Sequence, residues 1–315
     1  MNSELNIGFA KAVVSGSAGF LGRGLVRRLA SSGIPVLGID LGPSPFVMKG
    51  YQHVQSSLEQ AGDLIAAYLD GGGVYFHMAG LADRNQCEKR PADAFALNVA
   101  LTFTALDICE RVENVKFVLP STGIVYGLHL GRPAVEEDPA QPDSVYAGSK
   151  LAAEILVQAH TPGWLRGSVI ARLSNVYGPG MGENTVLGRL LGQVSRSEAL
   201  NVFDERPVRD FIYVDDAVEA LVRLADAGIP GAAVVNVSMA RGVKIGDAIN
   251  ILAGLSGLPH SISESATSEP ATSLVLNNAR LNRMTGWVPQ IHIEQGLKIC
   301  SKDHTTSTSN SKRKT

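Results

Sequence analysis

Short apolar runs alternate with helix-length amphipathic segments along most of the chain, and this alternation restricts the fold more than any other feature. Strands that alternate with helices form a parallel sheet through βαβ units, so the pattern predicts an α/β fold built on a doubly wound parallel sheet. The candidate strands are AKAVVSG (10–16), PVLGID (35–40), HVQSS (53–57), GVYFHMA (73–79), VKFVLPST (115–122), SVIARLS (168–174) and AAVVNVS (232–238). The candidate helices lie near 20–32, 58–69, 92–111, 146–160, 184–196 and 215–227.

The alternation loosens after Asn175, where glycine becomes frequent and the segments become shorter. VYGPGMGEN (176–184) opens this part, and the segments after it are rich in Ser, Pro and Asn. We therefore predict a smaller C-terminal substrate lobe that is interleaved in sequence with the sheet domain. The predicted ranges are 1–175 plus 207–239 for the sheet domain, 176–206 plus 240–300 for the lobe, and 301–315 for a polar tail of low complexity that is expected to be disordered.

Composition argues against several classes of function. The formal net charge is −2 and the isoelectric point is about 6.4, so no basic surface for nucleic acid is expected. No apolar run approaches the roughly 18 residues that span a bilayer, and no signal-peptide pattern is present, so no membrane partner is expected. Cys87, Cys109 and Cys300 show no metal-ligand spacing. They are expected to be reduced thiols in a cytoplasmic protein without a metal site.

A glycine-rich turn joins the first candidate strand to the first candidate helix. SGSAGFLG places Gly16, Gly19 and Gly22 in a GxxGxxG spacing, which lets backbone N–H groups and a helix N-terminus approach a pyrophosphate. Asp40 ends the next strand, where a carboxylate accepts hydrogen bonds from the adenine ribose and repels the 2′-phosphate of NADP. The context predicts a Rossmann-type domain that binds NAD. The alternatives are a plain βα turn and an aspartate that caps a helix or turn.

The fourth candidate strand ends in HMAGLA (77–82). Small residues at the carboxyl end of a strand leave room for a ligand that lies across the sheet edge. His77 lies inside the apolar strand, so we interpret it as a buried histidine hydrogen-bonded to a neighbour, with a catalytic role as the alternative.

A candidate catalytic group lies in DSVYAGSKLAAE (143–154), where Tyr146 and Lys150 are four residues apart and share one face of a helix. A phenol with an ordinary pKa near 10 is a weak base, but a nearby ammonium and a nicotinamide cation favour the phenolate. The hydroxyl of Thr122 or Ser121 can then hold a substrate oxygen against Tyr146. This set suits proton removal from an alcohol whose carbon gives a hydride to NAD. The alternative is an exposed tyrosine beside a solvated lysine.

From about residue 10 to 299 the chain resembles the extended short-chain dehydrogenases/reductases, specifically the NAD-dependent sugar-nucleotide epimerase/dehydratase family, and within it UDP-glucose 4-epimerases. The resemblance implies a nucleotide-sugar substrate and a homodimer that forms through the helices near 92–111 and 146–160, although their apolar faces also suit the core. The segments that carry it are SGSAGFLG, HMAGLA, STGIVYG, YAGSK, RLSNVYGPG, RPVRDFIYVDD and TGWVPQIHIEQGLK.

The resemblance also implies roles for individual residues. Thr122, Tyr146 and Lys150 match the family's catalytic hydroxyl, tyrosine and lysine. Asn175 matches an asparagine that touches the substrate's phosphate or sugar, and Arg209 matches an arginine that grips the nucleotide diphosphate. The implied cofactor contacts are Gly16, Ala18, Gly19, Phe20, Leu21, Gly22, Asp40, Ser57, Leu58, Met78, Ala79, Gly80, Asn98, Tyr146 and Lys150. The implied substrate contacts are Ser121, Thr122, Tyr146, Asn175, Asn184 and Arg209.

Two departures from the family pattern concern nucleotide binding. The family often has an aspartate that holds the adenine amine, where this chain has SSLEQ. A second diphosphate-binding arginine is missing from SEPATSLVLNN (268–278), and whether Arg280 replaces it stays open. Arg209 also has a structural alternative, which is an ion pair with Asp210 or Asp215.

The reaction depends on the groups beside the catalytic hydroxyl. In the resembling 4,6-dehydratases, carboxylates directly follow the catalytic Thr or Ser, because dehydration requires a further acid and base. Here those positions hold Gly123 and Ile124, which cannot carry a proton. The sequence therefore favours a nucleotide-sugar 4-epimerase of the UDP-hexose type, which acts through a transient 4-keto sugar and needs no further group. The alternatives are a 4-keto-sugar reductase or alcohol dehydrogenase of the same family, a 4,6-dehydratase, and a redox-silent NAD-binding protein.

Overall fold

The large domain is built on one parallel sheet of seven strands. The computed structural model describes residues 7–128, 130–164, 167–262 and 271–311. The sheet order is β10–β6–β5–β4–β1–β2–β3, and each strand corresponds to one of the seven candidates, so the predicted doubly wound α/β fold is confirmed. The strands are β1 (Ala12–Ser15), β2 (Val36–Asp40), β3 (Tyr51–Gln55), β4 (Gly73–His77), β5 (Val115–Thr122), β6 (Gly167–Leu173) and β10 (Ala232–Val237).

Helices cover both faces of this sheet. Adjacent strand residues point to opposite faces and so supply two separate cores. Val14 belongs to the core that contains Leu25 and Leu221, whereas Val13 belongs to the core that contains Leu106. The helices of the large domain are α1 (Phe20–Ser31), α2 (Leu58–Leu69), α3 (Arg84–Lys89), α4 (Pro91–Phe95), α5 (Leu101–Glu110), α6 (Val145–Trp164), α8 (Val214–Asp226) and α10 (Ala279–Thr285).

The strand order reverses at β1, which pairs with β2 on one side and with β4 on the other. In open parallel sheets, ligands bind in the crevice at such a point, outside the carboxyl ends of the strands. The carboxyl ends of β1, β4 and β5 carry Gly16, the HMAGLA segment and Thr122. Three motifs that are far apart in sequence therefore meet at one edge of the sheet.

In the part of the chain that the structure describes, the smaller lobe contains two further sheets and three helices. Its central strand is β9, which pairs with β7, β11 and β13. The sequence placed 207–239 in the sheet domain, but β9 joins the small sheet and the return to the large domain begins with α8. Strand pairing is non-local, so an apolar run of six residues does not reveal which sheet it joins. The elements are β7 (Asn175–Tyr177), α7 (Val186–Ser195), β8 (Leu200–Val202), β9 (Val208–Tyr213), β11 (Gly242–Lys244), α9 (Ile245–Ser256), β12 (His260–Ile262), β13 (Ser273–Leu274) and α11 (Ile293–Ser311).

The helical segment Pro91–Glu110 differs from the sequence expectation in two respects. It is not one regular helix, because a π-helical turn, Ala96–Ala100, separates α4 from α5. By length and composition this segment of 20 residues is also apolar enough to cross a membrane, with a mean hydropathy of 1.4 in an 18-residue window, although no run of that kind was expected. Two of its buried residues, Asn98 and Thr102, are polar, and its inner face packs on α6.

The last helix extends further than the sequence suggests. Leu297 and Cys300 are buried and anchor α11 against the lobe. Once a helix is nucleated, each added residue gains a hydrogen bond at little further cost. α11 accordingly continues to Ser311, through much of the segment expected to be disordered, and 312–315 lie outside the described residues.

Candidate active site

A cavity of about 750 Å³ opens at the carboxyl edge of the large sheet and is lined by both the large domain and the smaller lobe. Its size suits small-molecule ligands, whose sites typically measure about 300–1,000 Å³. The predicted site residues that line it are Gly16, Gly19, Phe20, Leu21, Gly22, Met78, Ala79, Gly80, Asn98, Ser121, Thr122, Tyr146, Lys150, Asn175, Asn184 and Arg209. The predicted site residues outside its lining are Ala18, Asp40, Ser57 and Leu58.

The glycine turn leaves no room for side chains. Gly16 has a φ of +69°, and a Cβ there would lie 2.7 Å from the backbone N of Ala79. A Cβ at Gly22 would lie 2.1 Å from the carbonyl oxygen of Gly16. Gly19, the residue before α1, provides no side-chain cap, so backbone N–H groups of the first turn stay available to an anion. This cradle fits the pyrophosphate of a dinucleotide.

Asp40 supports the turn from the side of the predicted adenosine. Its Oδ2 accepts the N–H of Ala18 at 2.9 Å and its Oδ1 accepts the N–H of Gly42 at 2.8 Å. These bonds orient the carboxylate and leave each oxygen a further lone pair for a ribose hydroxyl. Ser57 caps α2, and the side chain of Leu58 is buried in the core, so only the backbone of Leu58 remains for an adenine contact.

We expect Asp40→Ala to weaken NAD binding about 10- to 100-fold, because hydrogen bonds to a charged group contribute about 1.5–3 kcal/mol. The preference for NAD over NADP should fall as well, since the repulsion of the 2′-phosphate is removed. Isothermal titration calorimetry with both cofactors measures these changes. Asp63→Ala, at a fully exposed carboxylate on α2, is the control. An unchanged preference for NAD over NADP would contradict the ribose contact.

His77 has the structural role that the sequence favoured. It is buried, and its Nδ1 forms a hydrogen bond of 3.1 Å with Ser15 Oγ. Burial, together with the nearby charge of Lys150, lowers the pKa of the imidazole to about 3. The ring is therefore neutral at pH 7, and the interpretation as a buried, hydrogen-bonded histidine is confirmed.

The hydroxyl groups of Thr122 and Tyr146 meet at the end of β5. Thr122 begins a 3₁₀ turn, Gly123–Tyr126, and its Oγ1 accepts the N–H of Ile124 at 3.3 Å. Its side chain lies near enough to that of Tyr146 to lower the pKa of the phenol, and Tyr146 lies one turn before Lys150 on α6. The structure thus brings the three predicted catalytic residues to one wall of the cavity.

Burial governs the ionisation of the two residues on α6. It raises the pKa of the Tyr146 phenol to about 12, although the nearby side chain of Thr122 lowers it. Burial also lowers the pKa of Lys150 to about 8, against the raising effect of Glu154. In the protein alone, the cost of burying a phenolate therefore outweighs the stabilisation expected from Lys150. The nicotinamide cation remains as a source of that stabilisation.

Asn98, in the π-helical turn, connects the HMAGLA segment to the catalytic helix. Its Oδ1 accepts the N–H of Leu81 at 2.7 Å, and its Nδ2 donates to the carbonyl of Leu81 at 3.0 Å and to Ser149 Oγ at 2.9 Å. Ser149 in turn donates to the carbonyl of Tyr146 at 2.9 Å. The polar atoms of Asn98 are thus engaged by the protein. Through Ser149, Asn98 helps to position the backbone of Tyr146.

Ser121 contacts a buried ion pair. It donates a hydrogen bond to Glu154, which also accepts from Arg172 Nη2 at 2.7 Å and from its Nε at 3.2 Å. The two charged side chains are 1% and 7% exposed. The sequence suggested Ser121 as a substrate contact beside Thr122. Its hydroxyl is instead used to join β5 to α6, which leaves Thr122 as the hydroxyl in contact with Tyr146.

Asn175 and Arg209 face the cavity from the smaller lobe. Asn175 Nδ2 donates to the carbonyl of Asp210 at 3.2 Å. Arg209 donates to the carbonyl of Thr272 at 3.1 Å and to its hydroxyl at 2.7 Å. Among the described residues no carboxylate pairs with Arg209, so the structural alternative of an ion pair with Asp210 or Asp215 is not observed.

Arg280 lies outside the cavity lining and is hydrogen-bonded to Glu137, with its Nε 3.8 Å from Glu136. Arg189 on α7 and Arg84 at the start of α3 do line the cavity. The geometry therefore does not favour Arg280 as a replacement for the second diphosphate arginine.

The NAD dependent epimerase/dehydratase family model matches residues 12–238, a range that holds the glycine turn, Asp40 and the three predicted catalytic residues. The chain belongs to this family. Its cofactor is NAD, and the glycine cradle and the oriented carboxylate of Asp40 fit that cofactor.

Members of the family that resemble this chain differ in reaction. UDP-glucuronic acid decarboxylase 2 of Arabidopsis thaliana is 28% identical over 93% of the chain and 68% of its own length. GDP-6-deoxy-D-mannose reductase of Pseudomonas aeruginosa is 30% identical over 92% of the chain and 95% of its own length. The structure of UDP-glucose 4-epimerase from Thermus thermophilus with NAD superposes with a TM-score of 0.82, at 26% identity, over 93% of this chain and 98% of that one.

Several residues of the site were not predicted from the sequence. Ser149 directly precedes Lys150, and Glu154 lies one turn after Lys150. Their position on the same helix as Tyr146 is the sequence signal that could have identified them. Arg84 and Arg189 line the cavity from helices, where a basic residue in an amphipathic segment is typical of a solvated face.

Proposed function

We propose that this protein is a nucleotide-sugar 4-epimerase of the UDP-hexose type. The ionisable groups around the cavity carry the proposal. Among the described lining residues Asp204 is the one carboxylate, and both of its oxygens accept hydrogen bonds of 2.9 Å from Arg206. Dehydration requires an acid and a base in addition to the catalytic tyrosine. Epimerisation at C4 requires neither, so it matches the groups that are present.

The catalytic residues support this reaction without a further proton donor. When bound, NAD supplies the hydride acceptor. Tyr146 is placed to take the proton of the 4-hydroxyl and to return it, while Thr122 holds the same oxygen. Lys150 provides a positive charge beside the phenol and ammonium donors for the cofactor ribose. Between the two proton transfers the 4-keto sugar must rotate, so that the hydride returns to the opposite face of C4. A wide cavity permits this rotation.

Features of the smaller lobe support a substrate that is bound through a nucleotide diphosphate. The Arg209 guanidinium is held in place by Thr272 and has no carboxylate partner among the described residues. The uridine base is suggested by the relatives, since two of the three compared proteins are named for UDP-sugars. Arg209 and Asn175 would then contact the diphosphate and the sugar.

The proposal is tested by following UDP-glucose and UDP-galactose by NMR with the purified protein and no added NADH. Interconversion of the two sugars, together with about one NAD released per chain on denaturation, is the expected result, because an epimerase returns its hydride to the same substrate. Asp63→Ala serves as an unaffected variant. Absence of interconversion with any UDP-sugar would reject the proposal.

A 4-keto-sugar reductase is the second candidate, and the similarity to a GDP-6-deoxy-D-mannose reductase over 92% of the chain favours it. The same residues would deliver a proton to a keto oxygen. Such an enzyme must exchange its cofactor in every turnover. Consumption of added NADH by a 4-keto sugar nucleotide, with no NAD retained on purification, would favour this candidate over the epimerase.

We also propose a homodimer that forms through the outer faces of the helical segment Pro91–Glu110 and of α6. Phe95, Leu97, Phe103 and Ile155 are exposed there by 40–57%. Apolar side chains grouped on one face indicate a protein contact. Phe103→Glu is expected to convert a dimer to a monomer in light scattering, whereas Phe203→Glu, at an exposed residue on the cavity side, is not. A monomeric parent chain would contradict the proposal.

A further inference from the structure

The charges that line the cavity are unequal in number. Four cationic side chains, Arg84, Lys150, Arg189 and Arg209, line it, against one carboxylate among the described residues, Asp204. The proposed function uses Lys150 beside the cofactor and Arg209 at the diphosphate. It leaves Arg84 and Arg189 without a role, and of these two Arg84 belongs to the large domain, which also carries the catalytic residues.

Arg84 lies at the catalytic end of the cavity. It begins α3, two residues after the HMAGLA segment, whose Leu81 and Ala82 also line the cavity. α3 packs against α6, and Arg84 Nη2 lies 3.7 Å from the Oδ1 of Asp143, three residues before Tyr146. A guanidinium at this position is therefore near the sugar rather than near the adenine end of the cofactor.

Asp143 does not saturate the guanidinium of Arg84. Their separation of 3.7 Å is too long for a hydrogen bond, and the two side chains are 43% and 37% exposed. Exposed pairs of this kind are weak. Most of the five N–H donors of Arg84 are thus available to a ligand.

Arg84 and Arg209 approach the same space from the two lobes. Both residues line the cavity, and the pKa of Arg209 is lowered first by burial and then by the positive charge of Arg84. Like charges that line a shared cavity are relieved when anionic groups bind between them. The proposed function assigns the diphosphate to Arg209, which leaves Arg84 free to pair with a second anionic group closer to the catalytic residues.

We propose that the sugar of the substrate carries a carboxylate and that Arg84 binds it. This inference rests on the proposed function: with the 4-hydroxyl held by Thr122 and Tyr146, C6 is only two bonds from the reacting carbon. A planar guanidinium pairs with a carboxylate through two parallel hydrogen bonds. Arg84 is then a specificity-determining residue that selects a nucleotide-linked sugar acid over the neutral hexose.

Binding of UDP-glucuronic acid, UDP-glucose and UDP, measured by calorimetry with saturating NAD, tests the proposal. The two sugars differ at C6 alone, and a Tyr146→Phe background prevents their conversion. We expect tighter binding of UDP-glucuronic acid than of UDP-glucose. Adding Arg84→Gln should reduce the affinity for UDP-glucuronic acid about 10- to 100-fold and leave the other two ligands unchanged. Arg90→Gln, at an exposed residue paired with Asp93 outside the cavity, should change none of them.

Three results would overturn the proposal, two from binding and one from turnover. Equal losses for all three ligands on Arg84→Gln would place Arg84 at the diphosphate, and equal affinities of the two sugars for the parent would exclude a carboxylate site. Turnover by the chain with Tyr146 intact is assayed separately. Turnover without an Arg84-dependent preference rejects the carboxylate site alone, whereas Arg84-dependent binding without any turnover rejects the 4-epimerase alone.

Discussion

Tyr146→Phe is expected to lower kcat about 10²- to 10⁴-fold while NAD still binds, because the substitution removes one proton-transferring group and no part of the glycine cradle. The phenol pKa of about 12 in the protein alone makes this tyrosine a base only when the cofactor and Lys150 act on it together. Steady-state kinetics and NAD titration of the same preparation measure the two effects.

Tyr68→Phe is the matched control for this variant, since Tyr68 is a half-buried tyrosine on α2, away from the cavity. It should retain full activity. Substantial activity in the Tyr146→Phe protein would show that another group moves the proton, and the role assigned to Tyr146 would have to be abandoned.

Glu154→Gln is expected to lower the free energy of unfolding by about 3–5 kcal/mol, the usual cost of leaving one member of a buried ion pair without its partner. The charge of Arg172, on β6, would then remain buried without its partner, with 7% of its side chain exposed. Chemical denaturation followed by circular dichroism measures the change. Activity should also fall, because Glu154 holds Ser121 next to the catalytic Thr122.

Glu183→Gln provides the comparison, because Glu183 pairs with Arg196 at the surface, where the two side chains are 54% and 44% exposed. Its cost should lie within about 1 kcal/mol. Equal costs for the two variants would show that the buried pair contributes no more than an exposed one.

Local patterns in the sequence were sufficient to predict the elements that form the nucleotide end of the site. Glycine spacing, a terminal aspartate and the strand–helix alternation depend on residues near each other in the chain, so Gly16, Gly22 and Asp40 could be proposed directly. Tyr146 and Lys150 could be proposed as a pair because helical spacing places them together.

The sequence could not show which distant residues form hydrogen bonds with the polar side chains of the site. In the sequence, Ser121 and Thr122 are equivalent candidates. The structure separates them, because Ser121 donates its hydrogen bond to Glu154, which also pairs with Arg172. The π-helical turn around Asn98 likewise depends on hydrogen bonds to Leu81 and Ser149, which come from other segments. Both features depend on tertiary contacts, which a short-range periodicity in the sequence does not reveal.

The interleaving of the two lobes restricts how the cavity can open. The chain passes between them at Ser174, at Tyr213 and in the connections that precede β11, α10 and α11. A clamshell motion would therefore have to bend the backbone at several junctions at once. Domain closure elsewhere relies on a few hinge residues. Ligand exchange is therefore expected through movements of single loops, and a dinucleotide held beneath the substrate would have a long residence time on the protein, outlasting many catalytic cycles.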